Sequence, residues 1–286
     1  MTAVTRPALR YHGSKYRLAP WIIDFFPPHR VYVEPFGGAA SVLLRKPRAY
    51  AEIYNDLFDG VVEVFRVLRD PVKATELLRR LRLTPFARAE FEDAYEPAVD
   101  EIDGVRKTLI RSYMGFGATG VLGHITGFRG NSNRSGTTPA HDWVNYAEAL
   151  PAFTERLAGV VIESKPALEL LVEFDTPETL FYLDPPYVHS TRTLGNPHCA
   201  KHRYAYEMDD EAHRGLADAL RKTKGMVVLS GYPCALYEEL FADWERFERA
   251  ALADGARART EVVWLNPACS AALELSRGGL FAGHAA

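Results

Sequence analysis

The sequence has few cysteines, no long apolar run and no large excess of charge of either sign. It contains 3 cysteines in 286 residues, too few and too scattered for a disulfide framework. It has no Cys-x-x-Cys pair, which argues against a structural zinc site. We therefore expect reduced thiols, no bound metal and a cytoplasmic location. No apolar segment is long enough to predict a membrane span, and the first residues lack the pattern of a secretory signal.

The charge of the chain is nearly balanced, with 34 Lys and Arg against 37 Asp and Glu. The resulting formal charge of −3 gives no general attraction to a polyanion. Nucleic-acid binding would therefore need a local basic surface. The hydrophobic fraction of 47% is that of an ordinary globular protein with a sizeable core.

Short apolar segments alternate with helical patterns along most of the chain, which indicates an α/β fold. Seven segments are predicted strands: 31–34, 51–54, 160–163, 180–183, 226–230, 247–252 and 261–265. Helical patterns occupy 15–26, 39–45, 60–69, 210–221 and 235–241. Only a loop separates the last two strands, so we expect them to pair antiparallel as a hairpin.

The regular alternation is interrupted between the second and third strands, where a doubly wound fold needs only one helix. We predict that residues 60–150 form an inserted module whose first part is helical. Its glycine-rich later part, 115–139, predicts an extended loop or hairpin, and loops of this length are usually functional or disordered. Residues 1–59 and 151–267 then form the main domain, and 268–286 form a C-terminal tail.

The most informative motif follows the buried strand at 180–183. It is the tetrapeptide Asp184-Pro185-Pro186-Tyr187. The Asp184 carboxylate and the Pro185 carbonyl could accept the two hydrogens of a planar amino group, while the ring of Tyr187 stacks on its base. The tetrapeptide therefore predicts a site that binds an amino group at the end of a strand.

A glycine pair, Gly37 and Gly38, follows the first strand in the segment 34–38. A glycine pair at a strand-to-helix turn lets a ligand approach the backbone, and a following helix N-terminus favours negative charge. The alternative is a tight turn that binds nothing.

Two further polar motifs have alternative interpretations. Asn55 and Asp56 follow the second strand, where an acid of a doubly wound sheet commonly accepts hydrogen bonds from ribose hydroxyls. They could equally cap the helix that begins near Gly60. Near the start of the chain, Ser14 could cap a helix, and Lys15 could meet a carboxylate.

In this order, the motifs around Lys15, Gly37, Asp56 and Asp184 resemble those of the Dam-like DNA adenine methyltransferases, most closely the phage-type branch. The resemblance extends from Tyr11 to about residue 267, and the most specific part is 184–187 combined with 34–38. It implies a seven-stranded Rossmann-like methyltransferase sheet with a reversed C-terminal hairpin and an inserted, mostly helical target-recognition module. It also implies site-specific methyl transfer from S-adenosylmethionine to N6 of adenine in double-stranded DNA.

The resemblance also implies roles for individual residues. The catalytic residues would be Asp184, Pro185, Pro186 and Tyr187. The residues that bind S-adenosylmethionine would be Tyr11, Lys15, Glu34, Phe36, Gly37, Gly38, Asp56 and Asp184. Among these, Asp56 would hold the ribose, Lys15 with Tyr11 would face the methionine carboxylate, and Glu34 would balance the amino end or the sulfonium.

The sequence departs from the family at Pro166. After the third strand the family generally has an acid that binds the amino group of the cofactor's adenine, and aligning 162–169 places Pro166 there. Proline has no side-chain acceptor and no backbone N–H. Either Glu163 or Ser164 replaces the acid, or the affinity for S-adenosylmethionine is reduced.

Basic and polar residues of the insertion are the predicted contacts to DNA. They are Arg111, His124, Arg129, Asn131, Asn133 and Arg134, with Arg106 and Lys107 nearby. Arginine can bind guanine bidentately and asparagine can bind adenine, while other basic groups bind phosphates. The alternative for each of these residues is a solvated surface position.

Three other functions remain open on the sequence alone. The acceptor could be the amino group of cytosine or a base in RNA, although such enzymes more often have Ser or Asn in place of Asp184. The chain could also be a DNA-binding relative with impaired catalysis, with Pro166 as a first sign. The intact tetrapeptide 184–187 argues against this last interpretation.

Overall fold

The computed structural model describes residues 3–130, 137–191, 205–253 and 257–282. The chain forms two compact units, each built from several segments. The first unit comprises Met1–Tyr16, Gly38–Arg45 and Phe58–Ile162, and the second comprises Arg17–Gly37, Lys46–Leu57 and Glu163–Ala286. The predicted insertion, 60–150, falls within the first unit, which also includes segments predicted to belong to the main domain.

A seven-stranded sheet with the order β3-β2-β1-β4-β5-β7-β6 confirms the predicted α/β class. Its strands are β1 Val31–Glu34, β2 Ala51–Asn55, β3 Val160–Glu163, β4 Thr179–Leu183, β5 Met226–Gly231, β6 Glu245–Ala253 and β7 Arg257–Leu265. Strand β1 is parallel to β2 and β4, and β4 is parallel to β5. Strand β7 pairs antiparallel with both β5 and β6.

The two faces of the central strands differ in polarity. In the observed register Val33 lies beside Phe181, and Phe181 lies beside Val227. These residues are fully buried in an apolar cluster that also includes Leu183 and Leu229. Since side chains alternate along a strand, the residues between them occupy the opposite face, which is polar towards the carboxyl ends.

Ten helices accompany the strands in the described part of the chain. The first unit contains α2 Asp59–Arg69, α3 Pro71–Leu83, α4 Arg88–Asp93, α5 Glu101–Met114 and α6 Pro139–Leu157, and the second contains α1 Ala19–Ile23, α7 Ala167–Glu173, α8 Asp210–Lys222, α9 Ala235–Leu240 and α10 Pro267–Ala282. Short 3-10 helices lie at Thr119–Leu122 and His189–Thr191. No helix among the described residues has the length and apolarity needed to cross a membrane.

Two predicted helices are wrong in extent or in kind. The helix predicted at 15–26 is only the short α1, which ends at Ile23. Beyond it the N–H groups of Phe25 and Phe26 donate to carbonyls three residues back, which is a tighter turn than an α-helix makes. The segment 39–45 forms turns instead of a helix. Gly38 and Ala40 have φ of 47° and 52°, and a right-handed helix cannot continue through such residues. The glycine pair therefore does not lead into a helix N-terminus.

The predicted C-terminal tail contains a helix, α10, from its first residues. Asn266 precedes this helix, and its side chain accepts a hydrogen bond from the Cys269 backbone N–H at 2.9 Å. Asparagine at the N-cap followed by proline at the first helical position is a common helix start. The pair Asn266 and Pro267 therefore indicates in the sequence that a helix begins here.

Candidate active site

Asp184 lies where the chain leaves β4, at the carboxyl-terminal edge of the parallel strands. All five residues of β4 are buried, so the start of the tetrapeptide is held on a rigid element. Asp184 itself is half-buried, and its Oδ1 accepts a hydrogen bond from the Ser230 hydroxyl of β5 at 2.9 Å. The carboxylate is thus both accessible and fixed.

A second hydroxyl extends this contact. The Tyr182 phenol lies 2.9 Å from Ser230 Oγ, and both side chains are buried. Because a carboxylate only accepts hydrogen bonds, Ser230 donates to Asp184, and Tyr182 can donate to Ser230. A hydrogen-bond chain therefore runs from Tyr182 through Ser230 to the acid.

Glu34, at the end of β1, is a buried acid with a similar partner. The Tyr32 hydroxyl donates to Glu34 Oε2 at 2.8 Å. Burial, followed by the charge of Glu34, raises the pKa of Tyr32 well above its ordinary value of 10.0, so its hydroxyl stays protonated as a donor. The resulting arrangement places a buried, hydrogen-bonded carboxyl group at the carboxyl-terminal end of β1.

Tyr187 is 7% exposed, and its ring packs against the ring of Tyr232 with centroids 4.4 Å apart. The guanidinium of Arg259 lies over Tyr232 at 5.6 Å from the ring centroid. The two rings are tilted by 32° to each other and form a close aromatic pair. A planar ligand can therefore meet a rigid aromatic surface close to Asp184 in the chain.

Asn55 connects the loops that follow three strands. Its Nδ2 donates to the carbonyls of Pro35 at 2.8 Å and Lys165 at 2.9 Å, and its Oδ1 accepts from Lys165 N–H at 2.8 Å. The backbone carbonyl of Asn55 also accepts from Gly37 N–H at 2.7 Å. This role of Asn55 is not predicted from the sequence, although an asparagine buried at a strand end needs such partners.

Gly37 is required by packing as well as by any ligand. A Cβ added to Gly37 would lie 2.2 Å from the ring of Tyr54 on β2, a distance that real contacts do not show. The packing of Tyr54 therefore requires glycine at this position whether or not a ligand binds beside it.

Asp56 follows β2 and is half-buried. Helix α2 begins at Asp59 and its N-cap is Phe58, so neither Asn55 nor Asp56 occupies the predicted N-cap position. Pro166 is exposed at the N-cap of α7, and the nearby Glu163 carboxylate lies 3.5 Å from Lys165 Nζ.

Within the first unit, the N-terminal motif packs against the turns after Gly38. Ser14 Oγ lies 2.8 Å from Ser41 Oγ, and a Cβ on Gly38 would lie 3.2 Å from the Tyr11 ring. Ser14 does not cap α1, whose N-cap is Leu18, so that interpretation is also wrong. Lys15 is buried, and its Nζ donates to the Gly13 carbonyl at 3.2 Å.

The model of the family described as D12 class N6 adenine-specific DNA methyltransferase matches residues 11–254. The chain belongs to this family. It is an S-adenosylmethionine-dependent enzyme that methylates N6 of adenine in DNA. The family assignment confirms the resemblance and favours adenine in DNA over the cytosine and RNA alternatives. A search of the curated proteins found no match.

Three basic residues near the predicted DNA-binding segment of this methyltransferase make hydrogen bonds and ion pairs inside the first unit. Arg111 donates to the carbonyls of Ala94 and Gly120 and to the Thr108 hydroxyl, and burial lowers its pKa below the ordinary value of an arginine. Arg106 pairs with Glu90 and Asp103, and Lys107 donates to the carbonyls of Asp93, Glu96 and Pro97. These hydrogen bonds hold the Arg111 guanidinium within the unit, and its contact to DNA stays a prediction.

Two other predicted DNA contacts, His124 and Arg129, lie in or beside the loop that follows α5. An isolated antiparallel bridge between Gly115 and Phe128 closes this loop, as the predicted hairpin requires. His124 is exposed in it, whereas Arg129 is half-buried and donates to the Tyr113 carbonyl at 3.0 Å. Asn131, Asn133 and Arg134 lie outside the described residues.

Proposed function

We propose that Asp184 and the Pro185 carbonyl accept the two hydrogens of the target adenine's amino group. The observation that carries this proposal is the position of Asp184, half-buried after a fully buried strand and oriented by a hydroxyl 2.9 Å away. S-Adenosylmethionine supplies an electrophilic methyl group on sulfur. An adenine amino nitrogen is a poor nucleophile because its lone pair is delocalised into the ring.

Accepting both hydrogens biases the nitrogen towards a tetrahedral geometry and directs its lone pair at the methyl carbon. The new N–C bond forms as the C–S bond breaks, and the electron pair of that bond stays on sulfur. The surplus proton leaves the nitrogen for solvent, so this mechanism needs no histidine base. Asp184 and Pro185 contribute mainly positioning and preorganised electrostatics.

Tyr187 is the proposed stacking surface for the target base. A base in duplex DNA must be flipped out of the helix, at a cost of a few kcal/mol, before its amino group can reach Asp184. Since Tyr232 packs on the Tyr187 ring, the stacking surface is preformed. Pro186 follows the proposed acceptor and, like Pro185, restricts the backbone between Asp184 and Tyr187.

The polar groups of the second unit fit the chemistry of S-adenosylmethionine. Buried Glu34 suits its positive amino or sulfonium end, and half-buried Asp56 suits the ribose hydroxyls. Phe36 and Gly37 follow β1 beside them and are proposed to line the methionine part. Tyr11, Lys15 and Gly38 of the first unit remain predictions of the resemblance.

For the fold, we propose a Rossmann-like methyltransferase sheet whose reversed hairpin is formed by β6 and β7. The helices of residues 60–150 are the proposed target-recognition module, acting on double-stranded DNA in the cytoplasm without a metal. His124 and Arg129 are its proposed DNA contacts within the described residues, together with Asn131, Asn133 and Arg134.

The experiment that tests this function is methyl transfer by Asp184→Ala. With tritium-labelled S-adenosylmethionine and unmethylated duplex DNA, we expect this variant to lose transfer, while calorimetry shows S-adenosylmethionine bound about as tightly as by the parent. The matched control is Asp243→Ala, which removes an exposed carboxylate paired with Arg221 and should keep transfer. Retained transfer by Asp184→Ala would contradict the proposed role.

A further inference from the structure

We propose that Ser230 is a positioning residue for Asp184, and that Tyr182 orients Ser230 in turn. This inference rests on the proposed catalytic role of Asp184. It is carried by two hydrogen bonds of 2.9 Å, from Tyr182 to Ser230 and from Ser230 to Asp184.

The strand register brings these groups together. Strands β4 and β5 are parallel, and Leu183 lies beside Leu229. One residue further along, Asp184 and Ser230 therefore occupy neighbouring positions on the same face of the sheet. Ser230 is 2% exposed within a strand whose residues are all buried, so its backbone position is fixed.

The direction of the hydrogen bonds follows from the number of available protons. Ser230 has one hydroxyl hydrogen and three candidate acceptors, Asp184 Oδ1 at 2.9 Å, the Tyr182 hydroxyl at 2.9 Å and the Leu183 carbonyl at 3.3 Å. The charge-assisted bond to the carboxylate is the strongest of the three. Ser230 then uses a lone pair to accept from Tyr182, whose side chain is 1% exposed.

These hydrogen bonds fix the orientation of the Asp184 carboxylate plane. The terminal torsion of an aspartate is intrinsically broad, so an isolated carboxylate samples many orientations. Holding both hydrogens of one amino group requires the Asp184 carboxylate and the Pro185 carbonyl to point at the same place. Since a displacement of about 1 Å can cost about a hundredfold in rate, a fixed plane matters for transfer.

The test measures the single-turnover rate of methyl transfer in preformed complexes with S-adenosylmethionine and duplex DNA. We expect Ser230→Ala to lower this rate by about tenfold to a hundredfold, with both dissociation constants within about twofold of the parent values. Tyr182→Phe removes one hydroxyl and should lower the rate less. Adding Tyr182→Phe to Ser230→Ala should change nothing further, because Tyr182 acts through Ser230.

The matched control is Thr179→Val, which removes a buried hydroxyl at the opposite end of β4, where it donates to the Phe174 carbonyl at 2.7 Å. It should keep the parent rate. An unchanged rate in Ser230→Ala would overturn the inference. So would a rate loss matched by an equal loss of S-adenosylmethionine binding, since that result indicates a structural role alone.

Asp184→Ala, assayed in parallel, separates this inference from the proposed function. Transfer retained by Asp184→Ala contradicts the proposed function, and the inference fails with it. If Asp184→Ala is inactive while Ser230→Ala is normal, only the role of Ser230 is contradicted.

Discussion

Replacing Asn55 with alanine tests whether the carboxyl-terminal loops of β1 and β3 must be preorganised for the methyl donor. Asn55 is 1% exposed, and its side chain makes three hydrogen bonds, one to the Pro35 backbone and two to the Lys165 backbone. At about 1 kcal/mol net for each bond, Asn55→Ala should lower the free energy of unfolding by about 3 kcal/mol.

The same change should weaken donor binding. The loop at Pro35 leads into Phe36 and Gly37, which are proposed to line the methionine part of S-adenosylmethionine. The loop at Lys165 leads into Pro166, which is predicted to lie beside its adenine. Without these hydrogen bonds the two loops must become ordered when the donor binds. The conformational entropy lost in this step lowers the affinity. We expect the dissociation constant measured by calorimetry to rise at least about tenfold, which corresponds to about 1.4 kcal/mol.

Asn266 offers a control matched in residue type, burial and bonding. Its side chain donates to the Gly225 carbonyl at 3.0 Å and accepts from the N–H groups of Val227 and Cys269 at 2.9 Å. These partners lie towards the amino end of β5, at the edge of the sheet opposite Asp184. Asn266→Ala should therefore cost similar stability by urea denaturation and leave the donor affinity unchanged. Equal loss of affinity in the two variants would refute the preorganisation argument.

Two further predictions concern the stability of the second unit. Lys46 and Glu52 form a buried ion pair at 2.7 Å. Glu52→Gln leaves the buried ammonium without its charge partner, so it should lower the free energy of unfolding, measured by urea denaturation, by about 3–5 kcal/mol. A change below about 1 kcal/mol would contradict this prediction. Burial raises the pKa of Cys269 from 9.0 to about 12, so the unfolded thiol ionises first and stability is lost as pH rises from 9 towards 12. Between pH 9 and 10 the free energy of unfolding should fall less steeply in Cys269→Ala than in the parent, and identical slopes would show that the thiol is not responsible.

The strands could be predicted from the sequence because most of them, such as β4 and β5, are short and largely apolar runs. All seven predicted segments are strands, and Val31–Glu34 and Val160–Glu163 have the predicted bounds. The segment 39–45 could not be predicted correctly, because its small and apolar residues suit a helix. Its turns depend on the positive φ of Gly38 and Ala40, and a local pattern gives no sign that an alanine will adopt that conformation.

In the candidate site, contacts between residues that are distant in sequence could not be predicted either. Asp184 and Tyr187 stand in a contiguous motif, so the sequence displays them together. Ser230 is 46 residues from Asp184 in the chain and becomes its neighbour only through the pairing of β4 with β5. Arg111 was predicted to contact DNA because its residue type suits that role, but helix α5 directs its guanidinium to nearby carbonyls. Residue type alone cannot distinguish these two uses of an arginine.

The polarity of the two sheet faces couples the proposed chemistry to the fold. One face of β1, β4 and β5 presents Val33, Phe181 and Leu229 to the apolar cluster. The other presents Tyr32, Tyr182 and Ser230, whose hydroxyls hold Glu34 and Asp184. A register shift of one residue would bury the hydroxyls in the cluster and move the apolar residues to the site, so both faces select the same register. The hydroxyls that orient the acids therefore also help to specify the sheet, and this is why their roles must be tested by rates in bound complexes as well as by stability.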